Sequence, residues 1–562
     1  MDKRTILAVV LSLVVLFIYQ TFFVKPPVPQ TAPAPQTAVT EAQKPDAAAP
    51  AAKPVQTPER AVRKAQPVKP EAPPQDIVVE TQNYKAVFST RGAALKSLQL
   101  KQYYQDCYDC PRDIFPRVKS LFTGGGFQPP EKTKDLVELV DLRGDMPYPL
   151  AVTFPDSGAD IPPTAIFDAS ATKIDLTHDG SESRQLIFTK TLGEVKIEKI
   201  YRFDPEGYRI MLEVKVHNLT GAPVTQTPKI SWFQYVDPAK KDDSFGHEGP
   251  VTSVGGSIDR QAVKKLDAEN VLGPNVSWAA FESKYFIAAF IPENPALTQV
   301  SLTRDDDQMV AIGMKGAKEV IPGGQYGAFA YNLYLGPKQH DSLKALGVGL
   351  EDAIDYGWFW WLAIPFLFIL NFLAGFVQNY GIAIIILTLM VKIIFWPLGN
   401  LSYKSMKKMQ ALQPKITALR EKYKNDQAKI GQETMALYRE NKVNPFSGCL
   451  PILIQIPVFF GLYKALMYSI ELRHSPFFFW IMDLSAKDPY YITPIIMGVT
   501  QFIQQKMTPS MGDPMQQKIM LLMPVIFTFF FLNFPSGLVI YWLFNNIFSI
   551  GQQLYINKKI NV

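Results

Sequence analysis

Few residues in this 562-residue chain join a reactive type to a spacing that supports chemistry. The clearest is Lys392. It lies in Ile384-Ile385-Ile386-Leu387-Thr388-Leu389-Met390-Val391-Lys392-Ile393-Ile394-Phe395-Trp396-Pro397, a run almost wholly apolar without it. An ammonium at the centre of a membrane helix costs roughly 2.5–3.5 kcal/mol on insertion scales. Such a cation faces a polar cavity, or its stem carries the charge toward the surface. Gly399, at the expected inner end of the run, is about 10 Å of helix away. Snorkelling without function is one reading and a groove wet from the cytoplasm the other, and the two are compatible for a lysine in the inner half of the bilayer. Thr388 (one turn earlier in the same run), Gln455, Gln501, Asn545 and Asn546 are polar groups inside apolar runs and are its candidate companions, since each needs a partner in lipid. No carboxylate lies mid-span; Glu471 and Asp483 fall at the outer end. A proton relay, transporter or channel would want buried acids. A cation without a built-in anion invites an incoming one, such as an acidic substrate segment.

Other reactive residues offer less. Ser402 and Ser405 would have to serve Lys392 in a hydrolase, but they lie at or beyond the cytoplasmic end and no nucleophile motif surrounds them. Cys107 and Cys110 form a lone C-x-x-C. A structural zinc site normally takes four ligands and no second pair exists, so a local disulfide or two free thiols is the reading. Cys449 reads as a small hydrophobe. Neither metal nor cofactor is expected.

The elements that must position Lys392 follow from composition. Residues 1–24 read as an uncleaved transmembrane anchor: Lys3 and Arg4 precede an apolar stretch from Ile6 to Val24, and no small-residue cleavage site follows. Residues 25–75, rich in Pro, Ala, Gln and Lys, read as an extended linker. Residues 76–345 read as a β-sandwich domain. Its clearest signal is Val195–Phe203 and Tyr208–Val216 around the turn Asp204-Pro205-Glu206-Gly207, with Tyr208, Ile210, Leu212, Val214 and Val216 alternating with Arg209, Met211, Glu213 and Lys215. Further strands are expected at Asn83–Ser89, Trp278–Phe290 and Tyr326–Leu335. No catalytic spacing of His, Asp and Glu stands out in this domain; it reads as a scaffold or docking surface, with a carbohydrate-binding or enzymatic role as the other reading. Residues 346–378 read as an interfacial amphipathic helix on the outer surface, because Trp358, Trp360 and Trp361 suit the headgroup layer; a seventh span is the other reading, but it would break the charge topology below. Residues 379–562 then hold five spans, at 381–399, 449–470, 490–507, 519–534 and 536–556. With the anchor these make six.

Charge orients them. Residues 25–355 hold 37 Lys/Arg and 42 Asp/Glu, net −5, whereas the rest of the chain holds 20 and 9, net +11. The segment from Asn400 to Phe446 carries ten Lys/Arg and four Asp/Glu, which places it in the cytoplasm; the loop 471–489, with two and three, fits the outside. Both termini then lie in the cytoplasm and residues 25–378 on the periplasmic side. The surplus of positive charge is accounted for by this topology and does not point to nucleic acid. Within the cytoplasmic segment, Met406, Met409, Leu412, Ile416, Leu419 and Tyr423 form an apolar stripe at helical spacing. Pro414 predicts a kink or a late start, Asn425-Asp426 a break, and Ile430, Leu437 and Tyr438 a second helix face, so residues 400–446 read as an antiparallel helical hairpin.

Several long motifs carry a resemblance. V-N-P-F-S-G-C-L-P (443–451), L-I-Q-I-P-V-F-F (453–460), W-I-M-D-L-S-A-K-D-P-Y-Y (480–491), D-P-M-Q-Q-K-I-M (513–520) and F-P-S-G-L-V-I-Y-W (534–542) occur in the order found in the YidC/Oxa/Alb insertases. The anchor, linker and β-domain resemble the Gram-negative form of that family. The resemblance implies a polytopic α-helical membrane protein of the cell inner membrane, with a five-helix insertase core and a periplasmic β-supersandwich like sugar mutarotases. It implies a chaperone, not an enzyme, that inserts and helps fold inner-membrane proteins, alone or with the Sec translocon. The substrate's polar segment would enter a hydrophilic groove at Lys392, Thr388, Gln455 and Asn545. Its apolar segment would leave along a hydrophobic slide of the third and fifth membrane helices, whose positions map to Phe459, Met497, Phe530 and Trp542. Lys392 stands where many members carry Arg, so the charge is kept and the planar fork for carboxylates is lost. The implied partners are nascent membrane proteins, translocon components, the ribosome and signal-recognition targeting factors at the cytoplasmic hairpin, and membrane lipids. The tail beyond Ile556 is short, which speaks against a ribosome-binding tail.

Overall fold

The computed structural model describes residues 73–107, 109–113, 134–157, 161–178, 184–238, 246–266, 269–305, 307–424, 426–443, 450–508 and 514–559. The expected anchor and almost all of the linker lie outside them, as does Cys449. The described residues fall into two compact units, one holding Pro414–Leu437 and the other the described parts of Glu71–Gln413 and Tyr438–Val562.

Alternation builds the β-domain. In the strand Arg209–Asn218, Ile210, Leu212, Val214 and Val216 are fully buried while Arg209 and Met211 are exposed. It pairs antiparallel with Val195–Phe203, from Ile210 opposite Phe203 to Asn218 opposite Val195. The turn between them is pinned by Asp204, whose carboxylate accepts from the N–H groups of Glu206 and Gly207 at 3.2 Å each, the local bonding that favours Asp at turns. The expected strand Trp278–Phe290 is instead a hairpin, Val276–Glu282 and Phe286–Pro292. The polar Ser283-Lys284 interrupts the apolar run, and the Ser283 hydroxyl accepts from the N–H of Phe286.

Nine strands form the largest sheet, in the order Ser257–Arg260, Gly249–Val254, Val276–Glu282, Phe286–Pro292, Tyr326–Pro337, Arg209–Asn218, Val195–Phe203, Gln185–Leu192 and Asp168–Ala169, all neighbours antiparallel. Two five-stranded sheets accompany it, one running from Leu136–Glu138 to Lys173–Asp175 and one from Asn270–Leu272 to Ala151–Thr153. Phe88 of the first packs on Tyr201, and Trp232 of the second on Phe290, with ring centroids 4.7 and 5.7 Å apart. The small sheets thus cover opposite halves of the large one, and a single apolar core runs between the layers. Buried within it, the Lys199 side-chain nitrogen lies 3.1, 2.6 and 2.8 Å from the carbonyl oxygens of Gly92, Ala93 and Leu150. All three acceptors belong to residues with left-handed backbone, so one lysine satisfies turns that the sheets leave unpaired.

The helices that follow are α1 (Trp360–Val377), α2 (Tyr380–Ile394), α3 (Trp396–Ala411), α4 (Gln413–Lys422), α5 (Gln427–Glu440), α6 (Leu450–Tyr468), α7 (Ile492–Met507), α8 (Pro514–Phe531) and α9 (Ser536–Lys559). In α1 the seam Ala363, Leu367, Leu370 and Ala374 is buried, and Trp361, Phe368, Phe372 and Phe376 are exposed. Both faces are therefore apolar, which is not the polar-and-apolar division expected of an amphipathic helix. Among the described residues, Gly357–Val377 alone is long and apolar enough in one straight helix to cross a membrane; α2 and α3 together pass the same test but meet at a 61° bend, and Ile454–Tyr468 and Met520–Phe531 are apolar but shorter. These helices do not by themselves reproduce the count of six spans.

The bend also corrects the expected run 381–399. Pro397 lies in the first turn of α3, where its missing N–H and fixed φ suit a helix start and not a helix interior. Lys392 accordingly stands in the last turn of α2. Leu412 closes α3 and Pro414 sits in the first turn of α4, so the kink or late start expected at Pro414 is the start of a new helix; Asn425 of the expected break lies outside the described residues. Along the apolar stripe, Met406, Met409, Leu412 and Ile416 are buried, and Ile430, Leu437 and Tyr438 are half-buried on α5.

Candidate functional site

Helix α9 organises the bundle. It packs against α2 and α7 and touches α3 and α6, and its apolar residues Leu538, Val539, Ile540 and Tyr541 join Ile384, Leu387, Leu462, Met497 and Phe531 in a second core. Four residues beyond Tyr541 its character changes. Asn545, Asn546, Ser549, Gln552 and Gln553 recur every three or four positions, so they line one side of the helix.

Each of these five reaches a neighbouring helix. The Lys392 ammonium donates to the Ser549 hydroxyl at 2.7 Å, and that hydroxyl donates to the carbonyl of Asn545 at 2.7 Å. Gln455 on α6 donates its amide to the Asn545 side-chain oxygen at 3.0 Å. Asn546 donates toward the carbonyl of Met497 on α7 at 3.3 Å. Gln552 donates to the carbonyl of Trp396 and to Asn400 on α3 at 3.1 and 3.2 Å, and Gln553 to Tyr403 and Thr508. The seam is a chain of neutral donors and acceptors carrying one cation. Among the described residues no carboxylate forms an ion pair with Lys392.

Lys392, Gln455 and Asn545 therefore converge as the sequence suggests. Thr388 does not join their bonding: it is buried and its hydroxyl donates to Ile384 of its own helix at 2.6 Å. Gln501 is half-buried with a side-chain oxygen that has no partner. Ser549, Gln552 and Gln553 were missed by the sequence reading; the period of polar residues along α9 is the signal that would have found them. Close approach is required here too. A side chain at Gly399 would collide with the amide of Gln552, so glycine lets α3 lie against α9.

The four slide positions part company. Phe459 and Trp542 meet edge to face, 4.9 Å between centroids, and Trp542 also contacts Phe527 and Phe531 at 6.0 and 5.1 Å. Phe530 is exposed and packs on Phe534 at 4.9 Å. Met497 is completely buried within the bundle.

The bundle is fastened to the β-domain. Arg473, between α6 and α7, donates to the carbonyls of Tyr104 and Gln105 at 2.6 and 2.9 Å. Its guanidinium lies over the rings of Phe286 and Tyr285 at 5.4 and 6.0 Å. Lys487 pairs with Asp113 at 2.5 Å, and Lys464 of α6 with Asp355 at 2.8 Å. Cys107 and Cys110 are disulfide-bonded in the same segment as Tyr104 and Asp113.

A bundle with exposed apolar flanks, an internal polar seam holding a cation and a large β-sandwich fastened to it defines a membrane protein with a sizeable domain outside the bilayer. The chain belongs to the YidC family of membrane protein insertases. Residues 372–562 match the family model described as 60Kd inner membrane protein, and residues 128–369 that of the YidC periplasmic domain. The membrane protein insertase YidC of Syntrophus aciditrophicus is 55% identical over 569 residues, covering 100% of both chains. That of Citrifermentans bemidjiense is 43% identical over 567 residues, again covering 100% of both. A solved structure of an active YidC insertase with its first transmembrane domain resolved shares 20% identity, covers 87% of this chain and 93% of that one, and gives a TM-score of 0.35. The chain is thus an inner-membrane insertase with a periplasmic domain, and nothing among its relatives supports a transporter or channel.

Proposed function

We propose that Lys392, Gln455 and Asn545, with Thr388 shaping the wall behind them, form the groove in which the insertase receives the polar segment of a substrate. The carrying observation is the Lys392 ammonium held by a neutral hydroxyl, Ser549, at 2.7 Å. A cation whose partner is neutral keeps its attraction for a carboxylate, and a low-dielectric surround strengthens that attraction. No covalent step is involved; the site binds and releases. Phe459 and Trp542, with Phe530 on the outer surface, offer the adjoining apolar slide, and Met497 supports it from within.

In this reading the N- and C-termini and the 400–446 hairpin lie in the cytoplasm, and residues 25–378 on the periplasmic side. The domains run as anchor 1–24, linker 25–75, β-domain 76–345, outer-surface helix 346–378 and insertase core 379–562. Six spans, nascent membrane proteins as substrates, and the Sec translocon, ribosome and signal-recognition factors as partners complete it. The ten Lys/Arg between Asn400 and Phe446 support the orientation. The test is Lys392→Glu in a depletion–complementation assay with a single-span substrate bearing an acidic translocated segment. Insertion is expected to fall about tenfold or more while the variant accumulates normally. Undiminished insertion by the charge-reversed protein would overturn the groove.

A further inference from the structure

A cavity of about 640 Å³ lies where the β-domain gives way to α1. That volume is in the range of small-molecule sites. Its polar wall includes His340, Lys344, Glu351 and Asp352, and its apolar wall Trp361 and Pro365. Two atoms there are anomalous. Glu351 Oε2 and His340 Nδ1 are buried and have no hydrogen-bond partner. An unmade bond at a buried carboxylate oxygen costs more than the bond would gain, so such atoms mark a missing partner. The third carboxylate of the wall, Asp355, is already engaged by Lys464 at 2.8 Å, and the nearby Arg260 is engaged by Glu282 at 2.9 Å.

The apolar side continues beyond the cavity. Trp361, Pro365, Phe368, Phe372 and Phe376 follow at spacings of three and four along α1, all exposed, so they form one stripe leading away from the cavity mouth. Glu351, Asp352 and Lys344 set in an otherwise largely apolar lining, opening onto a long aromatic stripe, fit a ligand with a zwitterionic head and a hydrocarbon tail.

We propose that this cavity binds the head group of a phospholipid bearing a primary amine. The ammonium donates to Glu351 and Asp352, the phosphate accepts from Lys344, and the acyl chains lie along the α1 stripe. The site is separate from the groove at Lys392 and does not depend on it. The experiment is native mass spectrometry of the full chain released from micelles containing equal phosphatidylethanolamine, phosphatidylcholine and phosphatidylglycerol. Phosphatidylethanolamine should be retained preferentially, because the quaternary ammonium of phosphatidylcholine has no N–H to give Glu351. Glu351→Gln should lower that preference about tenfold, in line with the loss of a charge-assisted hydrogen bond, with an unchanged melting temperature as the folding control. Lys392→Glu should leave it intact, which keeps this test distinct from that of the groove. Equal retention of the amine and choline lipids by the unmodified chain would overturn the proposal. So would a full phosphatidylethanolamine preference in Glu351→Gln, or displacement of the lipid by a lysine-rich peptide at equal concentration.

Discussion

A single serine decides how Lys392 is presented. Ser549 accepts from the ammonium and is itself held by the carbonyl of Asn545, one turn back, so the charge is tied to α9 and does not trail freely toward water. Interhelical hydrogen bonds in membrane proteins are worth about 0.6–1.7 kcal/mol, or roughly three- to sixteenfold in an equilibrium. Ser549→Ala should therefore reduce insertion of acidic-segment substrates by about that factor in a complementation assay, and Ser549→Thr should restore it. Lys392 was legible because a cation in an apolar run violates the cost of its surroundings. Ser549 was not, because a serine between Phe548 and Ile550 violates nothing until the fold supplies its partner. Lys199 in the β-domain is a second residue of this kind. Complete burial pushes its amine well below the ordinary lysine value. Between that lowered pKa and about 10.4 the unfolded chain binds a proton that the folded chain does not, so stability rises with pH across the window. Thermal unfolding of the full chain at stepped pH should show this rise, and Lys199→Met should flatten it. The buried Tyr201 and Tyr334, both pushed up by burial, bend the curve the other way only at higher pH.

Elements were read more faithfully than their ends. Period-two alternation located the hairpin of Val195–Phe203 and Arg209–Asn218 because one face is buried and the other wet. The helices of the bundle have no such contrast, since lipid-facing and core-facing side chains are both apolar, and hydropathy alone ran α2 on to Gly399 through the break at Phe395. Pro397 held the missing information. Helix contacts were equally illegible, because glycines that permit close approach look like any others. Gly498 of α7 is such a position: a Cβ there would overlap the side chain of Thr528 on α8. Gly498→Ala should lower stability by about 1–3 kcal/mol, the usual cost of overpacking, seen as a reduced melting temperature in detergent. Adding Thr528→Ala should recover most of the loss by vacating the space.

At the scale of the molecule the question is what keeps the β-domain and the segment that follows it seated on the bundle, which no local sequence pattern announces because the contacting residues are 109 to 378 positions apart. Three contacts are candidates, and magnitudes separate them. The pairs Lys487–Asp113 and Lys464–Asp355 are partly solvated, with side-chain exposures of 39% and 25% in the first and 25% and 46% in the second; pairs of this kind are worth about 0–1 kcal/mol and weaken with salt. Arg473 is different. It gives two charge-assisted bonds to the carbonyls of Tyr104 and Gln105 and covers the rings of Tyr285 and Phe286; each cation–π contact of a half-buried arginine adds about 0.5–1 kcal/mol, so the four contacts together exceed either ion pair. A lysine has no planar fork to reproduce both sets of contacts. Arg473→Lys should therefore loosen the junction almost as much as Arg473→Ala, whereas Lys464→Ala and Lys487→Ala together should do less. Hydrogen exchange of the amides in Ala94–Tyr104 and in the loop 471–489 of the full chain reads this directly: protection should fall in both segments for either Arg473 variant and stay near the parent level for the paired lysine variant. Added salt should raise exchange in the parent only slightly. Equal loss of protection from the lysine pair, or a strong salt effect, would mean that the solvated ion pairs carry the junction and Arg473 merely accompanies them.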